Sequence, residues 1–367
     1  MIKFYLPPLI IAALVSGGLT YSVKKIAEKF KILDYPSKRK IHARATPRLG
    51  GVAIVLAFFI MAVGYSLASN RLEFSPFQIM FFDKRLIGVL LGALVLMGAG
   101  IYDDVKDLRP WQKLIFQVLA AGLVVAFGLS IDYIRLPAGY HLQLDTWIVP
   151  ISLFGHGYSF VVWGDLLTMF WIVLLVNTIN FLDGLDGLAA GIAFIAAIAI
   201  FFLSFSLGQF AGALLAVILA GSILGFLPWN FNPARIFMGD AGSQFLGYML
   251  AILSIISGWK LATAFLILGL PLMDVIWVVV RRISSGKSPF RADKLHLHHR
   301  LLDAGLTQRQ TALMLYLVAA FFGAVSVLTG TAEKIQALYW LLILMGTLAI
   351  VLIVLEWKKR RDERSNE

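Results

Sequence analysis

Aspartates in short clusters are the residues of this sequence best suited to do chemistry. The run Ile-Tyr-Asp-Asp-Val-Lys-Asp places Asp103, Asp104 and Asp107 at the end of an apolar stretch. At about 100° per residue, a continuing helix would bring all three carboxylates to one side. Like charges this close repel one another, so the run predicts a cation nearby. The alternative is a solvated acidic helix end, which is disfavoured because acids at a helix C-terminus oppose the helix dipole.

A second cluster combines two asparagines with two aspartates. Asn177, Asn180, Asp183 and Asp186 recur at every third position, and a glycine follows each aspartate. Glycine allows the backbone to leave helical geometry and to approach a ligand closely. A helix C-cap with Asp-Gly turn chemistry would explain one such pair but not two. The segment therefore predicts a binding site.

A third candidate is Asp240, which lies between Gly239 and Gly242 where another apolar stretch begins. A helix N-terminus offers free amides and the positive end of a dipole to phosphate. Mg²⁺ prefers one or two carboxylates together with substrate phosphates, so Asp240 is a candidate metal ligand. The alternative is that Asp240 only caps the helix.

Three of the six histidines lie close together near the C-terminal end of the chain. The segment contains His296, His298 and His299, with the basic neighbours Arg291, Lys294 and Arg300. Without a companion cysteine this spacing is a weak zinc signal. The basic side chains instead indicate an anionic ligand such as a diphosphate. Asp274, earlier in the chain, is interpreted as a structural hydrogen-bonding residue behind the site.

Membrane-spanning helices must position these clusters. Hydrophobic residues make up 59% of the 367 residues and charged residues only 14%, and the mean hydropathy is +0.83. Soluble domains carry roughly 25% charged residues, so a bilayer must be the solvent. We predict an all-α, polytopic membrane protein in which residues 1–367 form a single domain with about eleven transmembrane helices. The predicted spans are roughly 4–23, 49–69, 85–102, 112–131, 160–182, 188–207, 209–229, 242–258, 261–280, 312–330 and 337–356.

The distribution of basic residues predicts which loops are cytoplasmic. One assignment places roughly 25 of the 32 lysines and arginines on a single side, so the N-terminus is expected outside and the C-terminus in the cytoplasm. The cytoplasmic loops are then 24–48, 103–111, 183–187, 230–241 and 281–311, and the long outer loop is about 132–159. A short hairpin is predicted at His141–Leu144 in that outer loop. Retention of basic residues at one surface also accounts for the net charge of +11 without a nucleic-acid partner.

All of these polar clusters fall at the predicted cytoplasmic face, and this favours one kind of function. Carboxylates, amides and basic side chains gathered there suit Mg²⁺-dependent phosphoryl chemistry, and a membrane setting implies a lipid substrate. A cation or proton-coupled transporter is the alternative, because intramembrane acids also mark transport pathways. A transporter would place ionisable residues near the bilayer midplane, where this sequence has almost none.

At these motifs the sequence closely resembles the polyprenyl-phosphate N-acetylhexosamine-1-phosphate transferase family, in particular its undecaprenyl-phosphate N-acetylglucosamine-1-phosphate branch. The resemblance extends from about Pro47-Arg48-Leu49-Gly50-Gly51 to about Gln310. It rests on Asp103-Asp104-x-x-Asp107, Asn177-x-x-Asn180-x-x-Asp183-Gly-x-Asp186-Gly, Phe237-Met238-Gly239-Asp240-x-Gly242 and His296-x-His298-His299, in this order. Asp107 and the His-Leu-His-His order match the branch that uses UDP-N-acetylglucosamine. The branch that uses UDP-N-acetylmuramoyl-pentapeptide usually carries lysine at the position of Asp107 and three consecutive histidines.

The resemblance implies transfer of N-acetylglucosamine-1-phosphate from UDP-N-acetylglucosamine to undecaprenyl phosphate, with release of UMP. This is the first membrane step of O-antigen, common antigen or teichoic acid synthesis at the cytoplasmic membrane. The same reaction with UDP-N-acetylmuramoyl-pentapeptide is the alternative. Mg²⁺ is the implied cofactor, and the choice between Mg²⁺ and Mn²⁺ stays open because both suit oxygen ligands. Whether the chain forms a homodimer also stays open.

The resemblance further implies residue roles. Asp103 acts on the lipid phosphate, Asp104 and Asp240 serve the metal, and these three are the expected catalytic residues. Asp186 and Leu185 face the uracil, and Phe237 stacks on it. The full expected substrate-binding set is Asp107, Lys113, Asn177, Asn180, Asp183, Leu185, Asp186, Asn230, Phe237, Arg291, Lys294, His296, His298, His299 and Arg300.

Overall fold

The chain is almost entirely helical in a computed structural model. The model describes residues 2–36, 44–68, 72, 78–79, 82–135, 140–153, 156–257, 265–284, 286 and 296–365. The chain divides into two compact units, Met1–Leu261 and Ala262–Glu367. That residues 1–367 form a single domain stays a prediction.

Eight α-helices are described for the first unit, after a short 3-10 helix at Ile2–Phe4. They are α1 Leu6–Lys29, α2 Gly50–Ala68, α3 Lys84–Lys106, α4 Pro110–Ala126, α5 Val162–Leu182, α6 Leu188–Ser206, α7 Phe210–Asn230 and α8 Gly239–Ile256. In the second unit the described helices are α9 Gly269–Ser284, α10 Leu297–Asp303, α11 Gln308–Leu328 and α12 Thr331–Ser365. Across the described ranges, eight helices are long and apolar enough to cross a membrane: α1, α2, α3, α5, α6, α7, α8 and α11. The prediction of an all-α polytopic membrane protein is confirmed, whereas the eleven spans and the orientation stay predictions.

Short antiparallel strand pairs connect some of these helices. They are β1 Leu33–Asp34 with β2 Thr46–Pro47, β3 Gln78–Ile79 with β4 Phe82–Asp83, β5 Tyr133–Arg135 with β6 His141–Gln143, and β7 Ile148–Leu153 with β8 His156–Val161. The hairpin expected at His141–Leu144 is confirmed, because β6 pairs with β5. The β7–β8 pair follows in the same loop and was not predicted.

Small residues let α8 approach its neighbours closely at its amino-terminal end. A Cβ atom added at Gly51 in α2 would collide with the backbone of Gly242, and one added at Gly100 in α3 would collide with the backbone of Ala241. Close backbone approach through small residues is a common way for helices to pack in a membrane. The contact between α3 and α8 brings the carboxyl end of α3 beside the amino end of α8.

The carboxyl end of α3 differs from the continuous helix that the sequence predicted through Asp107. The helix ends at Lys106, and Asp107 at its C-cap has a positive φ of 51°. Asp107 is exposed, whereas Asp103 and Asp104 are buried. The expectation that three carboxylates share one helix face is therefore wrong for Asp107, because the helix does not continue far enough to bring it round.

Candidate active site

The cation expected between the aspartates is supplied by the chain itself. Lys113, in the first turn of α4, places its Nζ 2.6 Å from Asp103 Oδ2 and 2.6 Å from Asp240 Oδ2. Gln244, one turn after Asp240, donates from Nε2 to the same Asp240 oxygen at 3.4 Å. Three helices, α3, α4 and α8, thus bring two carboxylates to one ammonium group, with mutual distances typical of charge-assisted hydrogen bonds.

Asp103 also fixes the connection that places Lys113. Its Oδ1 accepts a hydrogen bond from the backbone N–H of Leu108 at 2.6 Å. That bond closes the short connection between α3 and α4 and sets where the first turn of α4 begins. The side chain of Asp103 is only 7% exposed, so its two oxygens have defined partners rather than bulk water.

Asp104 caps α8 from a neighbouring helix. Its Oδ1 accepts from the backbone N–H of Asp240 at 3.0 Å, and its Oδ2 from that of Ala241 at 3.5 Å. Arg48 Nε lies 3.8 Å from Asp104 Oδ1. These amides are among those that a helix leaves unsatisfied at its start. The N-cap role considered for Asp240 thus belongs to Asp104, and the Asp240 carboxylate is directed to Lys113 and Gln244 instead.

Gly239 allows this cap to form. It has a φ of +72°, and a Cβ atom at this position would lie 2.5 Å from Asp104 Oδ2. A residue with a side chain would be strained there and would displace the carboxylate. The carboxylate of Asp104 in α3 is therefore the steric reason why position 239 holds a glycine.

Polar residues at the end of α5 link α4 and α8. Asn177 Nδ2 donates to Gln117 Oε1 at 2.7 Å, and Asn180 Nδ2 donates to Ser243 Oγ at 2.8 Å. Both asparagines belong to the predicted set, and both have protein partners. Ser243 lies one turn beyond Gly239 in α8 and accepts from Asn180 within the same region as Asp240.

The Asp-Gly turn after α5 is tied to the segment between α7 and α8. Asn230 Oδ1 accepts from the backbone N–H of Gly187 at 3.1 Å, and its Nδ2 donates to the carbonyl of Ile236 at 3.0 Å. Asp186 Oδ2 accepts from Asn232 Nδ2 at 2.9 Å and from the backbone N–H of Ala234 at 3.0 Å. Two residues predicted to contact substrate therefore also hold two loops together beside the start of α8.

Asp183, at the C-cap of α5, lies within electrostatic range of the acidic cluster. Burial raises its pKa well above the usual value, and the charges of Asp240 and Asp104 raise that pKa further while Arg48 opposes them. Ionisation of Asp183 would add a negative charge to a place that already holds several. The arrangement therefore favours an additional cation whenever all of these carboxylates are charged.

The two residues expected at the uracil differ in exposure. Leu185 is buried, with 4% exposure, whereas Phe237 is partly exposed. The backbone of Phe237 is fixed on both sides: its N–H donates to the carbonyl of Pro47 at 2.8 Å and its carbonyl accepts from the N–H of Gly50 at 2.9 Å. The start of α2 therefore holds Phe237 in place, and the role of both residues at the uracil stays a prediction.

Comparison with known proteins identifies the family. A model of glycosyl transferase family 4 matches residues 86–258, which hold α4 to α8 and nearly all of α3. A Bacillus subtilis relative named "Probable undecaprenyl-phosphate N-acetylglucosaminyl 1-phosphate transferase" is 35% identical over 91% of this chain and 87% of the relative. The chain belongs to glycosyl transferase family 4. The predicted resemblance is confirmed, and with it the prediction that the chain is a sugar-phosphate transferase.

Further relatives of this family agree. A Mycobacterium tuberculosis "Decaprenyl-phosphate N-acetylglucosaminephosphotransferase" is 32% identical over 93% of this chain and 87% of the relative. A Thermotoga maritima "Undecaprenyl-phosphate alpha-N-acetylglucosaminyl 1-phosphate transferase" is 30% identical over 94% of this chain and 96% of the relative. These matches extend well beyond residues 86–258, so the likeness to the family includes the second unit.

The histidine segment of this family member lies in the second unit, on the short helix α10. His296 Nδ1 donates to Asp274 Oδ2 at 2.9 Å, and the backbone N–H of Leu297 donates to Asp274 Oδ1 at 2.8 Å. The hydrogen bonds expected of Asp274 are present, and its place behind the site stays a prediction. Arg291 and Lys294, which were predicted to bind substrate, lie outside the described residues.

His298 differs from His296 in its surroundings. It is 2% exposed, and within the part of the chain that the structure describes its Nε2 has no hydrogen-bond partner. Burial lowers its pKa to about 3, and the neighbouring His299 and His296 act in the same direction. His298 is therefore neutral at physiological pH, and His299, whose ring centroid lies 4.4 Å from that of His298, is the closer neighbour of the two.

A divalent cation fits the donor set at the start of α8. Among the described residues, no group of three or more His, Asp or Glu side chains forms a complete protein ligand set. Asp103 and Asp240 nevertheless converge on one cation, the Lys113 ammonium. Mg²⁺ typically takes one or two carboxylates and completes its shell with water and substrate phosphates. Asp240 and Asp104, which lie together at the start of α8, therefore suit a metal that arrives with a phosphate substrate.

Sequence reasoning missed two residues of this site. Arg48 precedes the Gly50-Gly51 pair and contributes positive charge beside Asp104. Gln244 follows Asp240 by four residues and contacts it along the helix. The signal for Arg48 was its place in the Pro-Arg-Leu-Gly-Gly motif. The signal for Gln244 was the four-residue spacing, which puts two side chains on the same helix face.

Proposed function

We propose that this chain transfers N-acetylglucosamine-1-phosphate from UDP-N-acetylglucosamine to undecaprenyl phosphate, releasing UMP. The observation that carries the proposal is the convergence of Asp103 and Asp240 on Lys113 at the amino end of α8. The names of the relatives support the acceptor and the sugar.

In this reaction an oxygen of the lipid phosphate forms a bond to the β-phosphorus of the donor. The bond between that phosphorus and the bridging oxygen breaks, and UMP leaves with the bridging oxygen. Phosphoryl transfer of this kind depends mainly on positioning and on neutralising phosphate charge. Asp103 orients the acceptor phosphate and takes its remaining proton when the phosphate arrives protonated. Lys113 holds the carboxylates of Asp103 and Asp240 close together and offers positive charge to the phosphates.

Asp240 and Asp104 would hold Mg²⁺ or Mn²⁺, as the family resemblance implies. A bound divalent cation would supply charge neutralisation for the diphosphate. A carboxylate has about four acceptor sites, so Asp104 keeps capacity beyond its bonds to α8. Asp104 also holds the first amides of α8 in place, which fixes Asp240 next to it in the chain.

The remaining predicted contacts belong to the same proposal. Leu185, Asp186 and Phe237 form the uracil end, and Asn230 fixes its loops. Asn177, Asn180 and Asp183 are further polar residues of the substrate site. His296, His298, His299 and Arg300, with Arg291 and Lys294, serve the diphosphate and sugar, and Asp107, which is exposed, is a further substrate-binding residue.

The site is proposed to face the cytoplasm, at the cytoplasmic membrane of a bacterium. The asymmetry of lysine and arginine supports this side. A reporter fused after Glu367 should read cytoplasmic, and a reporter inserted near Gly139 should read outside. An outside reading for the tail would remove one span from the predicted eleven and would reverse this part of the proposal.

A transfer assay tests the reaction directly. Purified full-length protein is incubated with undecaprenyl phosphate, Mg²⁺ and one of several radiolabelled UDP-sugars. The expected result is labelled lipid and stoichiometric UMP from UDP-N-acetylglucosamine. Label transfer only from UDP-N-acetylmuramoyl-pentapeptide would show that this is the donor instead. Cation uptake into vesicles without UMP release would show that the protein is a transporter and not a transferase.

A further inference from the structure

Arg48 is a charged residue beside the acidic cluster whose guanidinium is largely uncommitted. Its Nε lies 3.8 Å from Asp104 Oδ1, and its side chain is 31% exposed. A contact of that length is an ion pair, but it exceeds hydrogen-bond distance. Within the described part of the chain the guanidinium has no hydrogen-bond partner, and an arginine carries five N–H donors. Arg48 can therefore still bind a ligand that has several acceptor oxygens.

Lys113, the other cation of the cluster, has closer partners. Its Nζ lies 2.6 Å from Asp103 Oδ2 and 2.6 Å from Asp240 Oδ2, so two carboxylates already share its charge. Arg48 faces one carboxylate at a longer distance. Of these two cations, Arg48 therefore has more of its charge available for a substrate phosphate.

The backbone on both sides of Arg48 is fixed by hydrogen bonds. The N–H of Arg48 donates to the carbonyl of Ile32 at 3.1 Å. The carbonyl of Pro47 accepts from the N–H of Phe237 at 2.8 Å, and the N–H of Gly50 donates to the carbonyl of Phe237 at 2.9 Å. A side chain on a backbone held in this way has less freedom to lose when a ligand binds, and such preorganisation increases affinity.

Leu49, the residue after Arg48, has a strained backbone conformation. Its φ is +81°, and it is buried, with 7% exposure. A positive φ is uncommon for a residue with a side chain, and the surrounding structure must offset its free-energy cost. Strain of this kind is found most often at active sites and ligand-binding sites. The turn at Arg48 and Leu49 is therefore a candidate ligand-binding element on backbone grounds as well as on charge.

The surroundings of Arg48 favour the nucleotide donor over the lipid acceptor. Its ion pair with Asp104 ties it to the proposed metal end of the site. Its charge also opposes the rise in the pKa of Asp183, which begins the turn that holds two of the proposed uracil contacts. The residues on both sides of Arg48 fix the backbone of Phe237, the third proposed uracil contact. In a UDP-sugar, the α-phosphate is the group that joins the uridine to the metal-bound diphosphate.

We propose that Arg48 binds the α-phosphate of the UDP-sugar donor and stabilises UMP as the leaving group. When the bond between the β-phosphorus and the bridging oxygen breaks, the electron pair stays on that oxygen, and the α-phosphate gains a negative charge. A guanidinium offers two parallel N–H donors to two phosphate oxygens. A donor that is already in place stabilises charge that develops in the transition state. The inference rests on the proposed transfer reaction and adds a donor-binding residue to it.

Steady-state kinetics of the purified full-length protein with UDP-N-acetylglucosamine and undecaprenyl phosphate test this assignment. Arg48→Gln removes hydrogen bonds between charged groups, so the KM for the donor and the inhibition constant of UMP should each rise about tenfold. The same variant should lower kcat about 100-fold and leave the KM for undecaprenyl phosphate unchanged. Arg48→Lys keeps the charge without the planar set of donors and should recover part of the UMP affinity. Arg44→Gln, which changes an exposed arginine of the same connection, should alter none of these constants.

Two further measurements separate a phosphate contact from mere support of Asp104. Thermal melting shows whether each variant is folded, and Arg48→Lys, which should still bind UMP more weakly than the wild type, is the variant to use if Arg48→Gln melts early. Mg²⁺ is then titrated for each variant. Recovery of wild-type UMP affinity by Arg48→Gln at saturating Mg²⁺ would mean that Arg48 acts only through Asp104, and the proposal would be wrong.

The kinetic outcomes also separate this proposal from the transfer reaction on which it rests. A donor KM and a UMP inhibition constant that stay at wild-type values in Arg48→Gln would overturn the assignment of Arg48 alone. Equal losses of UMP affinity in Arg48→Gln and Arg48→Lys would overturn it as well, because the charge would then have no effect. Wild-type protein that releases no UMP would instead overturn the transfer reaction itself.

Discussion

The acidic cluster of the first unit and the histidine segment of the second hold their polar side chains in different ways. Asp103 and Asp240 meet a lysine ammonium, and Asp104 meets backbone amides. His298, in contrast, is buried and neutral. The first arrangement gives each carboxylate a charged or N–H partner, and the second keeps an imidazole uncharged. Neutralisation of phosphate charge is therefore expected from Lys113 and a cation, with His298 limited to a neutral hydrogen bond.

The largest expected effect that tests this comparison is at Asp240. Asp240→Asn removes the charge that Lys113 and Gln244 hold, and we expect kcat to fall at least about 10³-fold, together with loss of Mg²⁺-dependent donor binding. Initial rates and a donor-binding isotherm measure this. Glu28→Gln, an exposed carboxylate in a weak surface pair, is the control. Near-normal turnover at saturating Mg²⁺ would reduce Asp240 to a structural role at the start of α8.

The next effect is at Lys113. Lys113→Met leaves Asp103 and Asp240 close together without their shared cation, so kcat should fall about 100-fold and the free energy of unfolding by about 2 kcal/mol. Assays at several Mg²⁺ concentrations and thermal melting measure the two losses. Lys106→Met removes an exposed lysine of the same region and should change neither. Full activity of Lys113→Met would mean that the two carboxylates need no protein cation.

The paired carboxylates of α3 should separate by their pH dependence. Asp103→Asn should lower kcat most near pH 6 and recover in part at higher pH, because a phosphate monoester has a second pKa near roughly 6 and loses its own proton above it. Asp104→Asn should lose activity at every pH and should also melt earlier, because it weakens the cap of α8 by about 1 kcal/mol. If the two variants have parallel pH–rate profiles, the proposed difference in role is wrong, and both carboxylates act by electrostatic positioning.

The smallest effect concerns the stability contribution of His298. Its pKa is about 3 in the folded chain against 6.5 ordinarily, so between these values the unfolded chain binds a proton that the folded chain does not. Stability should therefore fall as pH decreases from 6.5 towards 3, with a slope of at most about 1.4 kcal/mol per unit. Melting at pH 7.5 and pH 5 should show a smaller acid loss for His298→Phe than for the wild type. An imidazole NMR signal of His298 that titrates near pH 6.5 would contradict this.

Much of the fold, and many of the residues that form the site, could be predicted from the sequence. Hydropathy located helices such as α6, Leu188–Ser206, nearly to the residue, because an apolar run of that length has few other stable solutions in a bilayer. The residue types of the acidic clusters also indicated phosphate and metal chemistry, since few side chains suit it. The hairpin around His141–Leu144 followed from local alternation and turn residues.

Partnerships between distant residues could not be predicted from the sequence. Lys113 and Asp240 are 127 positions apart, and Asp104 and Asp240 are 136 apart. Which carboxylate receives the lysine and which caps α8 depends on how α3 approaches α8, and the glycine at position 100 sets that distance. The exposure of Asp107 likewise depends on the residue at which α3 ends. The 100° spacing of residues on a helix does not predict that end.

The sequence by itself determined that the chain is a membrane-spanning helical protein of this transferase family, because composition and motif order depend on residue identity alone. Only the tertiary structure decided the division of work among the aspartates and placed a cavity of about 1000 Å³ at the far helix ends. The physical reason is that hydrophobicity and backbone propensity are local, whereas a hydrogen bond or an ion pair exists only when packing brings two side chains within about 3 Å.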